Sequence, residues 1–193
     1  MSETGVSTGA ALPGNGRILL TTEQIQKRVC DVARQVSDDY QGRALSLVGV
    51  LESGFIFMAD LVRALEVPVT CQFVKPELRE VQPGSVEIFY APEVDVRGAN
   101  VLLVEAVVQS GVTTEFLMRN LMARGAASVK LLALLDKQAA RRVALQPDYF
   151  GFLIEDTFVF GYGLGTPDFG RNLPYIVSSD TPPPSRSQSE AEY

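Results

Sequence analysis

Three stretches of this chain, residues 45–51, 101–108 and 129–135, are apolar almost without interruption. A strand with one face in water alternates apolar and polar side chains, so near-continuous runs belong to strands covered on both faces. The first run ends in Glu52-Ser53-Gly54 and the second in Gln109-Ser110-Gly111, both turn sequences. After the first turn, Phe57, Met58, Leu61, Val62 and Leu65 recur at helical spacing; after the second, a helix is predicted to run to Arg124-Gly125. Upstream, Thr21 and Gln24 have capping-box spacing and open a helix faced by Ile25, Val29, Val32 and Val36. Strand, helix, strand, helix, strand predicts an α/β fold, a twisted and mostly parallel sheet with helices on both faces. Residues 67–74 and 86–90 read as further strands separated by a polar loop with Pro76, Pro83 and Gly84. Residues 150–154 and 158–160 close the domain.

Composition bounds the rest. The chain has 193 residues, 46% hydrophobic and 21% charged, which suits one globular domain with tails. Residues 1–16 and 180–193 are rich in small, polar and proline residues and are expected to be disordered, leaving a domain at 17–179. No run is long enough to span a bilayer, and residues 1–16 lack the pattern of a secretory signal. A net charge of −6 argues against DNA or RNA as a partner, because that surface must displace counterions with cations. With no histidine, histidine-based triads and zinc sites are ruled out. Cys30 and Cys71 have apolar neighbours and no paired spacing, so both are expected as buried thiols of a cytoplasmic protein.

In open α/β sheets ligands bind beyond the carboxyl ends of the strands, which singles out the two turns. Gln109, Ser110, Gly111, Val112, Thr113 and Thr114 join a buried strand to a helix start. There the first backbone N–H groups lack helical partners and lie at the positive end of the helix dipole. Ser110, Thr113 and Thr114 add hydroxyls and Gly111 permits close approach, so the turn can cradle one phosphate. An ordinary strand-to-helix turn with hydroxyl capping would look the same, and local physics alone favours that plainer reading.

The segment VLLVEAVVQSGVTT resembles the phosphoribosyl-pyrophosphate motif of hypoxanthine–guanine phosphoribosyltransferases. LVGVLESGFIFMADLVRAL resembles the family's pyrophosphate-loop segment and SVKLLALLDKQAARR its base-recognition strand. PDYFGFLIEDTFVFGYGL and RNLPYIVSSD resemble its hood, so the match is collinear from about residue 17 to about 179. The resemblance implies the type I phosphoribosyltransferase fold with a small hood, and magnesium-dependent transfer of ribose 5-phosphate to a purine. Carried over by position, residues 109–114 hold the 5′-phosphate and Glu105 approaches the ribose hydroxyls. Lys137 reads the purine 6-oxo group, Phe158 stacks on the base and Val159 contacts its edge. Glu52, Ser53, Gly54 and Arg171 lie on the pyrophosphate side.

Several positions depart from the family pattern. Ala106 replaces the second motif acid, Gln109 the acid beside the base, and Gly165 the late aspartate that helps hold magnesium. Glu52 stands where a basic residue is usual, and the mobile loop, KPELREVQPGS, lacks its Ser-Tyr pair. A missing general acid/base typically costs about 100- to 10,000-fold, and missing metal ligands forfeit several kcal/mol of charge stabilisation. Glu52 would also repel a diphosphate. The implied function is a non-catalytic or strongly impaired purine nucleotide binder, taking GMP or IMP, with no metal site and no cofactor. One alternative is an active enzyme that uses magnesium and a carboxylate from Asp168, Asp156 or Glu93. Another is an interaction-only scaffold in which Lys137 is a surface lysine and Phe158 ordinary core. The family commonly assembles as homo-oligomers.

Overall fold

The computed structural model describes residues 16–82, 85–89, 94–166 and 169–181. Most of both expected tails, together with Pro83, Gly84, Tyr90, Glu93 and Asp168, lie outside the described residues. The apolar runs form β2 (Leu45–Val50), β6 (Asn100–Val108) and β7 (Ser128–Asp136). With β3 (Val69–Val74) and β8 (Tyr149–Leu153) they make a five-stranded sheet in the order β3-β2-β6-β7-β8, every pairing parallel.

Alternate side chains of these strands enter two separate cores, which is why no polar face is left. Leu102, Val104, Leu132 and Leu134 pack with Val29, Val36, Phe57 and Leu61 of α1 (Thr22–Asp39) and α2 (Phe55–Ala64). Val101, Leu103, Leu131 and Ala133 pack on the opposite face with Leu117 and Leu121 of α3 (Val112–Ala123). The capping box forms as the spacing predicts: Thr21 accepts from the Gln24 backbone and the Gln24 side chain accepts from Thr21 N–H. The hood is an antiparallel sheet of β1 (Arg17–Leu20), β10 (Ile176–Ser179) and β9 (Phe158–Phe160).

Two expectations are corrected. The segment read as a polar loop contains β4 (Glu77–Gln82), which pairs antiparallel with β5 (Ser85–Phe89) in a separate hairpin. Both cysteines are exposed, not buried. Cys30 follows buried Val29 on α1, but successive helix residues point about 100° apart and do not share a face. Cys71 lies on β3, an edge strand of which half the residues are exposed. Among the described residues no helix is long and apolar enough to cross a membrane.

Candidate active site

The carboxyl ends of β2, β6 and β7 bring the turns together. At the end of β6, Gly111 has φ +78°, and a Cβ there would lie 2.9 Å from Val143 Cγ2 and 3.0 Å from Arg141 Cδ, so only glycine fits. The turn is braced from below. Arg141 donates to the Gln109 carbonyl at 3.1 Å and pairs with Asp136, both side chains being nearly buried. Arg142 N–H donates to the Ser110 carbonyl at 2.9 Å, and Lys137 N–H to the Val108 carbonyl at 3.0 Å. An open cleft of about 550 Å³ lies over this turn, bounded by Gln109, Ser110, Arg141, Arg142 and Asp156.

Lys137 directly follows β7, and its side chain is only 6% exposed. Its ammonium lies 3.4 Å from Asp156 Oδ1, which also accepts from Gln109 Nε2 at 3.4 Å. Phe158, half-buried at the start of β9, stands beside Phe160 with ring centroids 6.3 Å apart, and Val159 is buried. Glu105 and Thr114 are both buried against one another under the start of α3. Burial pushes the Glu105 carboxyl up to about 7, although the Thr114 hydrogen bond and the Arg141 charge pull the other way. Glu105 Oε1 has no hydrogen-bond partner. Thr114 therefore faces inward, and Ser110, Thr113 and the backbone form the outer part of the turn.

At the end of β2, Glu52 is exposed and accepts from Lys75 Nζ at 2.8 Å and Arg171 Nη2 at 3.5 Å. Gly163 brings the hood close to this turn, since a Cβ on it would lie 2.8 Å from the Ser53 carbonyl. Arg171 is anchored there by donating to the Gly163 carbonyl at 2.8 Å.

Residues 17–167 match the profile of a family described as phosphoribosyl transferase domain. The hypoxanthine-guanine phosphoribosyltransferase of Mycobacterium tuberculosis is 36% identical over 183 residues, covering 90% of this chain and 91% of that protein. A crystal structure of a hypoxanthine-guanine phosphoribosyltransferase from Bacillus anthracis superposes with a TM-score of 0.78 at 33% identity, covering 84% of this chain and 98% of that one. This chain belongs to the hypoxanthine–guanine phosphoribosyltransferase family. Its similarity to the bifunctional protein TilS/HprT of Listeria innocua, 36% over 163 residues, covers 83% of this chain but spans only 25% of that longer protein.

The positions expected from sequence to depart from the family pattern have distinct surroundings. Ala106 is 1% exposed and belongs to the core shared with α1 and α2, so its side chain is enclosed by apolar groups. Gly165 has φ +141°, and a Cβ on it would lie 2.3 Å from the Phe169 carbonyl oxygen. Gln109 is exposed at the cleft and bonded to Asp156. Of the carboxylates named from sequence as substitutes, Asp156 lines the cleft, while Glu93 and Asp168 lie outside the described residues.

Sequence reading missed three features here. Lys75 was not connected with Glu52, although the β2–β3 register that pairs Val50 with Val74 brings the two strand ends side by side. The Asp136–Arg141 pair beneath the turn was also missed, as was Arg142 at the cleft. A DKxxxR spacing at a strand end is the only local sign of that brace, and alone it is too common to act on.

Proposed function

We propose that this chain binds a 6-oxopurine nucleotide, GMP or IMP, and carries no robust transferase activity of its own. One observation carries the reading: the braced turn bounds an open cleft whose Asp156 also holds Lys137, while the positions expected to carry chemistry are neutral. Gln109 is an amide that cannot ionise, Ala106 is enclosed by apolar core, and Gly165 has no room for a side chain in its present backbone conformation.

In this reading the turn N–H groups and the Ser110 and Thr113 hydroxyls hold the 5′-phosphate. The Arg141 brace keeps them in place before ligand arrives, so little ordering cost remains. Lys137 exchanges its 3.4 Å contact with Asp156 for the purine 6-oxo oxygen, and the half-buried Phe158 ring supplies the stacking face. The donor set does not fit magnesium. Glu105 is buried against Thr114, Glu52 is taken up by two cations, and positions 106 and 165 have no carboxylate. No step is therefore derived through a metal.

Thermal melting with and without GMP or IMP tests this. Ligand at 100 times Kd stabilises the folded state by about 2.7 kcal/mol, a rise in Tm of roughly 5 to 10 °C for a domain of this size. Lys137→Ala and Phe158→Ala are each expected to reduce the rise. No shift with either nucleotide at millimolar concentration would overturn the binding reading. A second reading rests on Asp156, among the described residues the one carboxylate at the cleft that touches both Gln109 and Lys137. If transfer is observed and Asp156→Asn abolishes it, Asp156 has taken over the proton-handling task.

A further inference from the structure

Three separate elements converge on the Glu52 carboxylate. Glu52 follows β2, Lys75 follows the neighbouring parallel strand β3, and Arg171 comes from the hood loop beyond β9. The two carboxylate oxygens are divided between the cations: Oε1 takes Lys75 at 2.8 Å and Oε2 takes Arg171 at 3.5 Å. The ten-residue helix α2 opens immediately afterwards at Gly54, directing its positive end to the same corner. Two cations beside a helix start are the makings of an oxyanion site. Here the chain supplies the anion itself.

We infer that Glu52 is a tethered anion occupying an oxyanion site formed by Lys75 and Arg171, so that this chain refuses diphosphate ligands while its phosphate turn stays open. The inference rests on the proposed reading of this chain as a nucleotide binder without transferase activity, and deepens it. Glu52 is not an unscreened repelling charge: it has two cationic partners, and Glu77 also acts on Lys75. Rejection then works by competition as well as repulsion, because an incoming diphosphate must first displace a carboxylate of high local concentration. The electrostatics agree. The Lys75 hydrogen bond, reinforced by the Lys75 and Arg171 charges, holds the Glu52 carboxyl below its usual range, while the Glu52 hydrogen bond and charge raise Lys75. Arg171 cannot swing far, since its other nitrogen is tied to the Gly163 carbonyl. Lys75 is more than half exposed and is the movable partner.

The test is calorimetric titration of inorganic pyrophosphate into the full chain, in low-salt buffer with a metal chelator. Glu52→Gln is expected to bind about tenfold more tightly than the unmodified chain, the scale set by releasing two exposed ion pairs and removing one negative charge. Glu52→Asp, a methylene too short to hold both cations, is expected to fall between them. Adding Lys75→Ala or Arg171→Ala to Glu52→Gln is expected to erase the gain. Glu66→Gln, which removes an equal charge elsewhere on the surface, controls for net charge and is expected to change binding by less than about twofold. Each variant is melted to establish that it is folded. The inference fails if folded Glu52→Gln binds pyrophosphate within twofold of the unmodified chain, including the case in which neither binds. It also fails if the gain survives loss of both cations. Because the probe is pyrophosphate, this outcome is independent of whether GMP or IMP binds.

Discussion

Replacing Arg141 with alanine is expected to damage both the fold and the phosphate turn, for separable reasons. Arg141 and Asp136 are paired with side chains 9% and 6% exposed, and Arg141 also donates to the Gln109 carbonyl. Removing one member of a buried pair strands the other charge, which costs about 3 to 5 kcal/mol. At roughly 2 to 4 °C per kcal/mol for a domain of this size, Tm falls by about 6 to 20 °C. The double variant Arg141→Met/Asp136→Leu strands no charge and fills similar volume, so it is expected to recover most of the melting temperature. It does not restore the bond to Gln109, so GMP affinity is expected to stay weakened even though the fold is regained. Thermal melts and GMP titrations of both variants check this. If Arg141→Ala melts within 2 °C of the unmodified chain, the pair is not a brace. If the double variant binds GMP normally, the turn does not depend on Arg141.

Further outcomes follow from other buried groups. The folded state holds the Glu105 proton up to about pH 7, against an ordinary value of 4.5. Glu105 thus favours the folded state fully below about pH 4.5, and that contribution is lost as pH rises to about 7, amounting to about 3 kcal/mol at higher pH. Glu105→Gln is expected to melt higher than the unmodified chain at pH 8, with the difference vanishing near pH 4.5; equal melting at both pH values contradicts the assignment. Gly165→Asp is expected to cost about 1 to 3 kcal/mol through backbone strain at φ +141°, lowering Tm by about 2 to 12 °C; an unchanged Tm would mean the backbone relaxes. An aspartate at 165 therefore carries a folding cost, and so does Ala106→Asp, whose carboxylate would enter apolar core.

Much of the fold was legible because its signals are local or periodic. The apolar runs at β2, β6 and β7 can only be strands covered on both faces, and Thr21 with Gln24 announces α1 within a four-residue window. The hairpin strand β4 was not legible, since its residues alternate weakly and are flanked by proline. The cysteines were misread because apolar neighbours in sequence say nothing about facing on a helix or an edge strand. At the site, the motif picks out residues 109–114 and Lys137, and the fold sets them at the ends of β6 and β7. Lys75 with Glu52 and Arg171 was not, because those partners are 23 and 119 residues from Glu52 and only the sheet and hood bring them together. The brace from Arg141 lies five residues from Asp136 and depends on a turn that the sequence does not specify.

The proposed function requires a nucleotide cleft that is kept without robust transferase chemistry. The most direct measurement is the steady-state rate of IMP or GMP formation from hypoxanthine or guanine with phosphoribosyl pyrophosphate and magnesium, followed by chromatographic separation of the nucleotide. Loss of the acid/base group alone removes about two to four orders of magnitude, so turnover is expected at about 10⁻² s⁻¹ or below for protein that binds GMP in parallel. Turnover of about 1 s⁻¹ or more, the ordinary range for enzymes, would contradict the account and return the chain to the working members of its family.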